Sequence, residues 1–165
     1  DGTPLSIPTA SDFFKTGGLK VQKWSNKTST GGAASADEHP DTDFPMFRLA
    51  DAYLMYAELA AKGIGQKTLA ANYVNILRNR AKADLISEAD ITSDFVLNER
   101  ARELYWEGFR RQDLIRFGKF TGNSYNWEWK GNVQTGVSID EKYKLYPVPQ
   151  SELNSNSNLS QNPGY

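Results

Sequence analysis

The stretch Asp94 to Gly118, DFVLNERARELYWEGFRRQDLIRFG, constrains the fold of this chain more than any other. At the helical pitch Leu97, Ala101, Leu104, Tyr105 and Gly108 share one side, while Glu99, Arg102 and Trp106 share the opposite one. Arg100 and Glu107 fall on the border, where a charge is half withdrawn from water. Gly108 predicts a break or a close backbone approach, and a second short run with Leu114, Ile115 and Phe117 ends at Gly118. A helix–break–helix laced with arginine and glutamate therefore predicts the organiser of an all-α core.

Two further helices are expected ahead of it. The first runs from about Pro45 to Lys62, with Asp43 as its cap and Pro45 in its first turn, where a missing N–H costs nothing. Its apolar arc (Met46, Leu49, Ala50, Tyr53, Leu54, Tyr56, Ala57, Ala60) is wide enough to predict more than one packing neighbour. Gly63 and Gly65 end it. The second, from Lys67 to Ala81, places Leu69, Tyr73, Ile76 and Leu77 on one side together with Arg80. A cation there needs a buried carboxylate, for which Glu107 and Asp51 are candidates. The pair is a hairpin of tetratricopeptide size, about 34 residues per unit, present in a single copy.

Residues 1–44 read as an irregular loop region punctuated by glycine and proline, with one short extended segment at Leu19–Trp24, where apolar and polar residues alternate. Regular structure fades again after Phe120. Lys144–Pro149 reads as a proline-stiffened extended piece, and the Ser- and Asn-rich tail from Ser151 to Tyr165 has the composition of a disordered segment.

The balance of 19 basic and 20 acidic residues removes the electrostatic footprint of a nucleic-acid binder. No apolar run is long enough to span a bilayer as a helix, and the first residues do not read as a signal peptide. With no cysteine and a single histidine, His39, the residues of ordinary nucleophilic triads and of thiolate or histidine metal sites are missing. No cofactor is called for. Glu99, Glu103 and Glu107 invite a glycosidase reading, yet such carboxylates oppose each other across a cleft. Here they line one helix beside Arg100, Arg102, Arg110 and Arg111, which points to an ion-pair network and to a chain that is not an enzyme. The acidic run Asp37, Glu38, Asp41 and Asp43 lacks the glycine and the distant glutamate of a calcium loop, and reads as solvated.

The aromatic segment Tyr125-Asn126-Trp127-Glu128-Trp129-Lys130 is the main candidate site. On an extended backbone its two tryptophans face one way, a platform for the apolar face of a sugar whose hydroxyls bond to neighbouring Asn, Glu or Lys. Tyr125, Trp127, Trp129 and, upstream, Trp24 are thus the candidate ligand-binding residues. Each also fits the simpler role of covering the helical core.

Three separated blocks carry a family resemblance. They are Phe47-Arg48-Leu49-Ala50-Asp51 to Tyr56-Ala57-Glu58, then Glu99–Leu104 with Glu107–Arg110 and Asp113–Gly118, and last Leu159-Ser160-Gln161-Asn162-Pro163-Gly164-Tyr165. In this order they resemble the C-terminal signature of the SusD/RagB family, over roughly residues 44–165. The resemblance implies a SusD-like all-α fold with long irregular loops over residues 45–165, a tail packed on the body, and a C-terminal portion of a longer protein. It further implies a surface-exposed outer-membrane lipoprotein whose lipid anchor lies in a missing N-terminal portion. Such proteins capture glycans, or peptides in some branches, for a SusC-like TonB-dependent transporter, without catalysis. The family's glycan site is built largely from loops nearer the N-terminus. Two other readings stand beside this one: a helical protein-interaction scaffold without sugar affinity, and a glycoside hydrolase-associated region.

Overall fold

The structure, a computed structural model, describes residues 23–28 and 30–165. Most of the expected extended segment, Leu19–Gln22, lies outside the described residues. Among those described the architecture is helical, with no sheet and one isolated antiparallel bridge, Lys27 to Ala33. The chain divides into two compact units, Asp1–Thr92 and Ser93–Tyr165.

In the first unit α1 (Leu49–Ala61) and α2 (Lys67–Arg80) form the expected hairpin. Leu54, Ala57, Ala60, Ala70 and Val74 are fully inaccessible, and the small alanines let the two helices approach closely. Tyr73 stacks on Tyr53 with ring centroids 4.6 Å apart and meets Tyr56 edge-on at 5.4 Å. Asn75 then pins the returning chain, donating to the Ile86 carbonyl and accepting from its N–H, both at 2.9 Å.

Three expectations for this unit need correction. The helix begins at Leu49, so Pro45 precedes it and Asp43 does not cap it; the flanking residue is Arg48, which is extended and offers no side-chain cap. Of the expected apolar arc, Ala50, Leu54, Ala57 and Ala60 are buried and Tyr53 and Tyr56 half-buried, whereas Met46 and Leu49 at its start, with Phe47 beside them, are exposed. Arg80 is exposed as well, since it is the last residue of α2. Its charge there complements the helix dipole.

The second unit is built on α3 (Ser93–Glu103) and α4 (Arg110–Arg116), the expected helix–break–helix. Trp106 and Gly108 both take left-handed backbone, at φ +64° and +81°, and turn the chain between them. Because α3 stops at Glu103, Tyr105 no longer follows the helical wheel and is exposed. The wheel also misplaces three charges: Glu99, Arg100 and Glu107 are all buried. For Arg100 the reason is visible. Its Nε donates to Asp113 Oδ2 at 2.9 Å, and both side chains are 2% exposed. Asp113 Oδ1 accepts from Arg116 at 2.7 Å, while Glu99 accepts from Arg102 Nε at 3.0 Å. Burial of an ion is tolerable when its hydrogen-bonding capacity is met in this way.

The tail is ordered by side chain-to-backbone hydrogen bonds that composition does not advertise. A short helix, α5 (Gln150–Ser155), interrupts it. Gln161 then brackets Val148, accepting from its N–H at 2.8 Å and donating to its carbonyl at 3.0 Å. Asn162 donates to the Tyr146 carbonyl at 2.7 Å, and the Tyr165 hydroxyl donates to that of Leu145 at 3.0 Å.

Candidate functional site

The aromatic segment folds as a closed loop in the second unit rather than as an extended strand. Trp129 is left-handed at φ +66°, so the alternation that would aim Trp127 and Trp129 the same way does not form. The Trp129 N–H donates to the Gln134 carbonyl at 3.2 Å, and the Val137 N–H to that of Lys130 at 3.0 Å. Gly136, at φ +72°, lies so close that a Cβ there would sit 2.2 Å from the Trp127 carbonyl oxygen.

Two cations organise the rings. Lys130 is only 2% exposed. Its Nζ donates to the Tyr125 carbonyl at 2.7 Å and lies 4.8 Å from the Trp127 ring centroid. Burial of that ammonium pulls its pKa below the ordinary lysine value. Arg110 donates from Nη2 to the Tyr125 hydroxyl at 2.7 Å, stands over the same ring at 5.6 Å, and reaches from Nη1 to the Leu97 carbonyl at 3.0 Å. It thereby ties the loop to α3.

Of the four sequence candidates, Tyr125 and Trp127 are brought together, with centroids 5.7 Å apart and planes tilted by 54°. Trp127 is 39% exposed and offers indole surface for contact. Trp129, in the same loop, is half-buried, and its indole N–H is buried with no hydrogen-bond partner among the described residues. Trp24 belongs to the first unit and is exposed, with Lys23 Nζ 5.9 Å from its ring.

Sequence reasoning missed a second aromatic group in the same unit. Tyr143, Tyr146 and Tyr165 border a hollow of about 520 Å3. The spacing of Tyr143 and Tyr146 was a faint signal. The return of Tyr165 to them depends on the Gln161 and Asn162 hydrogen bonds, which no periodicity reveals. Of the carboxylates on α3, Glu99 is held by Arg102 within its own helix.

Comparison with known proteins agrees with this architecture. The SusD family model matches residues 6–165. The chain is 45% identical over 150 residues to the starch-binding protein SusD of Bacteroides thetaiotaomicron, covering 91% of this chain and 26% of that protein. It is 38% identical over 136 residues to the SusD-like protein P38 of Formosa agariphila, covering 76% of this chain and 25% of that one. Among solved structures, a SusD superfamily protein from Bacteroides vulgatus matches with TM-score 0.53 and 32% identity, covering 72% of this chain and 27% of that one. Another from Parabacteroides distasonis matches with TM-score 0.55 and 26% identity, covering 73% and 27%. The chain thus spans about a quarter of the length of the curated relatives it matches. An all-helical body with an ion-paired helix break, a bonded C-terminal tail and a family match along nearly all its length make this chain a member of the SusD family.

Proposed function

We propose that this chain is part of a non-catalytic glycan-binding protein that works at the cell surface, holding oligosaccharide for uptake through a SusC-like TonB-dependent transporter in the outer membrane. The observation that carries the reading is the 45% identity, over 91% of the chain, to a protein named for binding starch. Exposed aromatic surface at Trp127, Trp24 and Tyr146 supports it, because pyranose rings stack their C–H faces on such side chains. The arginine-paired carboxylates of the helix break support binding without bond cleavage, since a glycosidase needs one carboxyl group free to give a proton and another to attack or activate water.

Electrophoresis through gels carrying soluble starch, xylan or no polysaccharide, with a parallel assay for new reducing ends, tests this. Retardation by a polysaccharide with no new reducing ends is the expected outcome. Release of reducing ends would make the chain part of a hydrolase, and unretarded migration in every gel would leave a protein-interaction scaffold. Trp127→Ala refines the result. Weaker retardation at an unchanged melting temperature marks a ligand contact, whereas a lowered melting temperature marks packing.

A further inference from the structure

The hollow beside Tyr146 has features that the Tyr125–Trp127 loop lacks. Its volume, about 520 Å3, falls within the range of small-ligand sites, and neither Tyr125 nor Trp127 lines it. Phe120, Val137, Ile139 and Leu145 make part of its lining apolar, and Ser138 and Asp140 add a hydroxyl and a carboxylate.

The rings around it are fixed before any ligand arrives. Tyr146 is 70% exposed, yet the Arg111 guanidinium lies 4.4 Å from its centroid. That guanidinium is itself anchored, donating to the carbonyls of Tyr143 at 2.6 Å and Lys144 at 3.2 Å. Tyr165 is held through its hydroxyl on the Leu145 carbonyl and meets Tyr143 edge-on at 6.4 Å. Rings positioned in this way lose little further freedom when a ligand stacks on them.

Charges of both signs lie around the hollow. Lys142 Nζ donates to the Gly164 carbonyl at 3.1 Å and lies over the rings of Tyr143 and Tyr165, at 5.3 and 5.2 Å. Lys144 pairs with Glu141 at 2.5 Å, and Arg111 is committed to carbonyls and rings. Arg111, which also lines the hollow, and Lys142 keep their positive charges, and Asp140 brings a negative one. Asp140 spends Oδ1 on the Lys142 N–H at 2.9 Å, and a carboxylate has lone pairs beyond that one bond for donors such as sugar hydroxyls.

We propose that this hollow seats one pyranose ring of a neutral glycan, stacked on the face of Tyr146 that Arg111 leaves open and with a hydroxyl donating to Asp140. It is a second glycan contact of the chain, distinct from Trp127, and both the contact and the neutrality of its ligand rest on the glycan-binding reading above, drawn from a relative named for binding starch.

Titration of the intact chain with maltoheptaose, followed by ring-proton and indole resonances in NMR, tests it, with an oligogalacturonate of equal length as the anionic control. Saturable shifts of the Tyr143 and Tyr146 rings are expected, absent with the control. Tyr146→Ala should weaken the affinity read at Tyr143 about tenfold at an unchanged melting temperature, and Tyr146→Phe should retain it. Shifts confined to Trp127, or unaltered affinity in Tyr146→Ala, overturn the hollow as a seat while the glycan-binding reading stands. Equal binding of the oligogalacturonate overturns the neutral-ligand claim. No shift anywhere, with maltoheptaose in large excess, overturns both.

Discussion

Asp113 serves two arginines at once, Arg100 through Oδ2 and Arg116 through Oδ1, but the two contacts differ in weight. Arg100 is buried beside it, whereas Arg116 keeps much of its side chain in water. Asp113→Ala would take a buried carboxylate away from the Arg100 guanidinium and should cost about 3–5 kcal/mol. Arg116→Ala should cost about 1 kcal/mol or less. Denaturant melts of the two variants check the ordering, and equal losses would contradict it. Gly136→Ala is a second local test. Its Cβ would meet the Trp127 carbonyl oxygen at 2.2 Å on a left-handed backbone. We expect a loss of about 2 kcal/mol or more and a changed Trp127 environment in near-ultraviolet circular dichroism. At this scale the sequence was legible in kind but not in place. A wheel ranks Arg100 by its neighbours on one helix, and its partner is a residue of the next helix. Likewise Trp129 reads as an alternating strand residue until the Gln134 carbonyl closes the loop on it.

Among the elements, α2, α3, α4 and the break between the last two lie close to where periodicity and glycine put them. Strong apolar spacing and a left-handed glycine are local signals, and they survive without knowledge of the rest of the fold. The start of α1 did not, because residues 44–47 carry apolar side chains without helical backbone. Gly108, at φ +81° with open space around its Cα, should show the price of conformation alone: Gly108→Ala is expected to cost about 1 kcal/mol in a denaturant melt. A loss several times larger would mean a steric role. The turn at Glu141–Lys144 offers a titration instead. The Lys144 ammonium, and then the Thr121 hydroxyl, hold the Glu141 carboxyl below its ordinary value of 4.5. A depressed folded value stabilises the protein above the unfolded pKa, and that contribution fades as the pH falls through the folded one. Carbon NMR of the Glu141 carboxyl should give a midpoint below 4.5, moved back up by Lys144→Ala. A midpoint at or above the ordinary value would contradict the contacts with Lys144 and Thr121.

For the whole molecule, the family was legible in three short blocks because each contains residues that the fold uses. Arg100 and Asp113 form a buried pair to which the half-exposed Arg116 adds a second contact, and Gln161, Asn162 and Tyr165 bind the tail to residues 145–148. A composition rich in Ser and Asn described the tail as disordered, and hydrogen bonds to backbone carbonyls are what order it. The site was less legible, since aromatic side chains serve both cores and sugar platforms, and only exposure separates the two uses. Trp127 and Tyr146 keep ring surface in water, while Trp129 turns its indole nitrogen inward. The central claim is that such surface holds a neutral glycan without cutting it. Isothermal titration of the intact chain with maltoheptaose tests it most directly, with the sugar recovered afterwards and sized by mass spectrometry. The account predicts a saturable heat and maltoheptaose returned at its original length. A flat titration, or shorter sugars in the recovered solution, would contradict it.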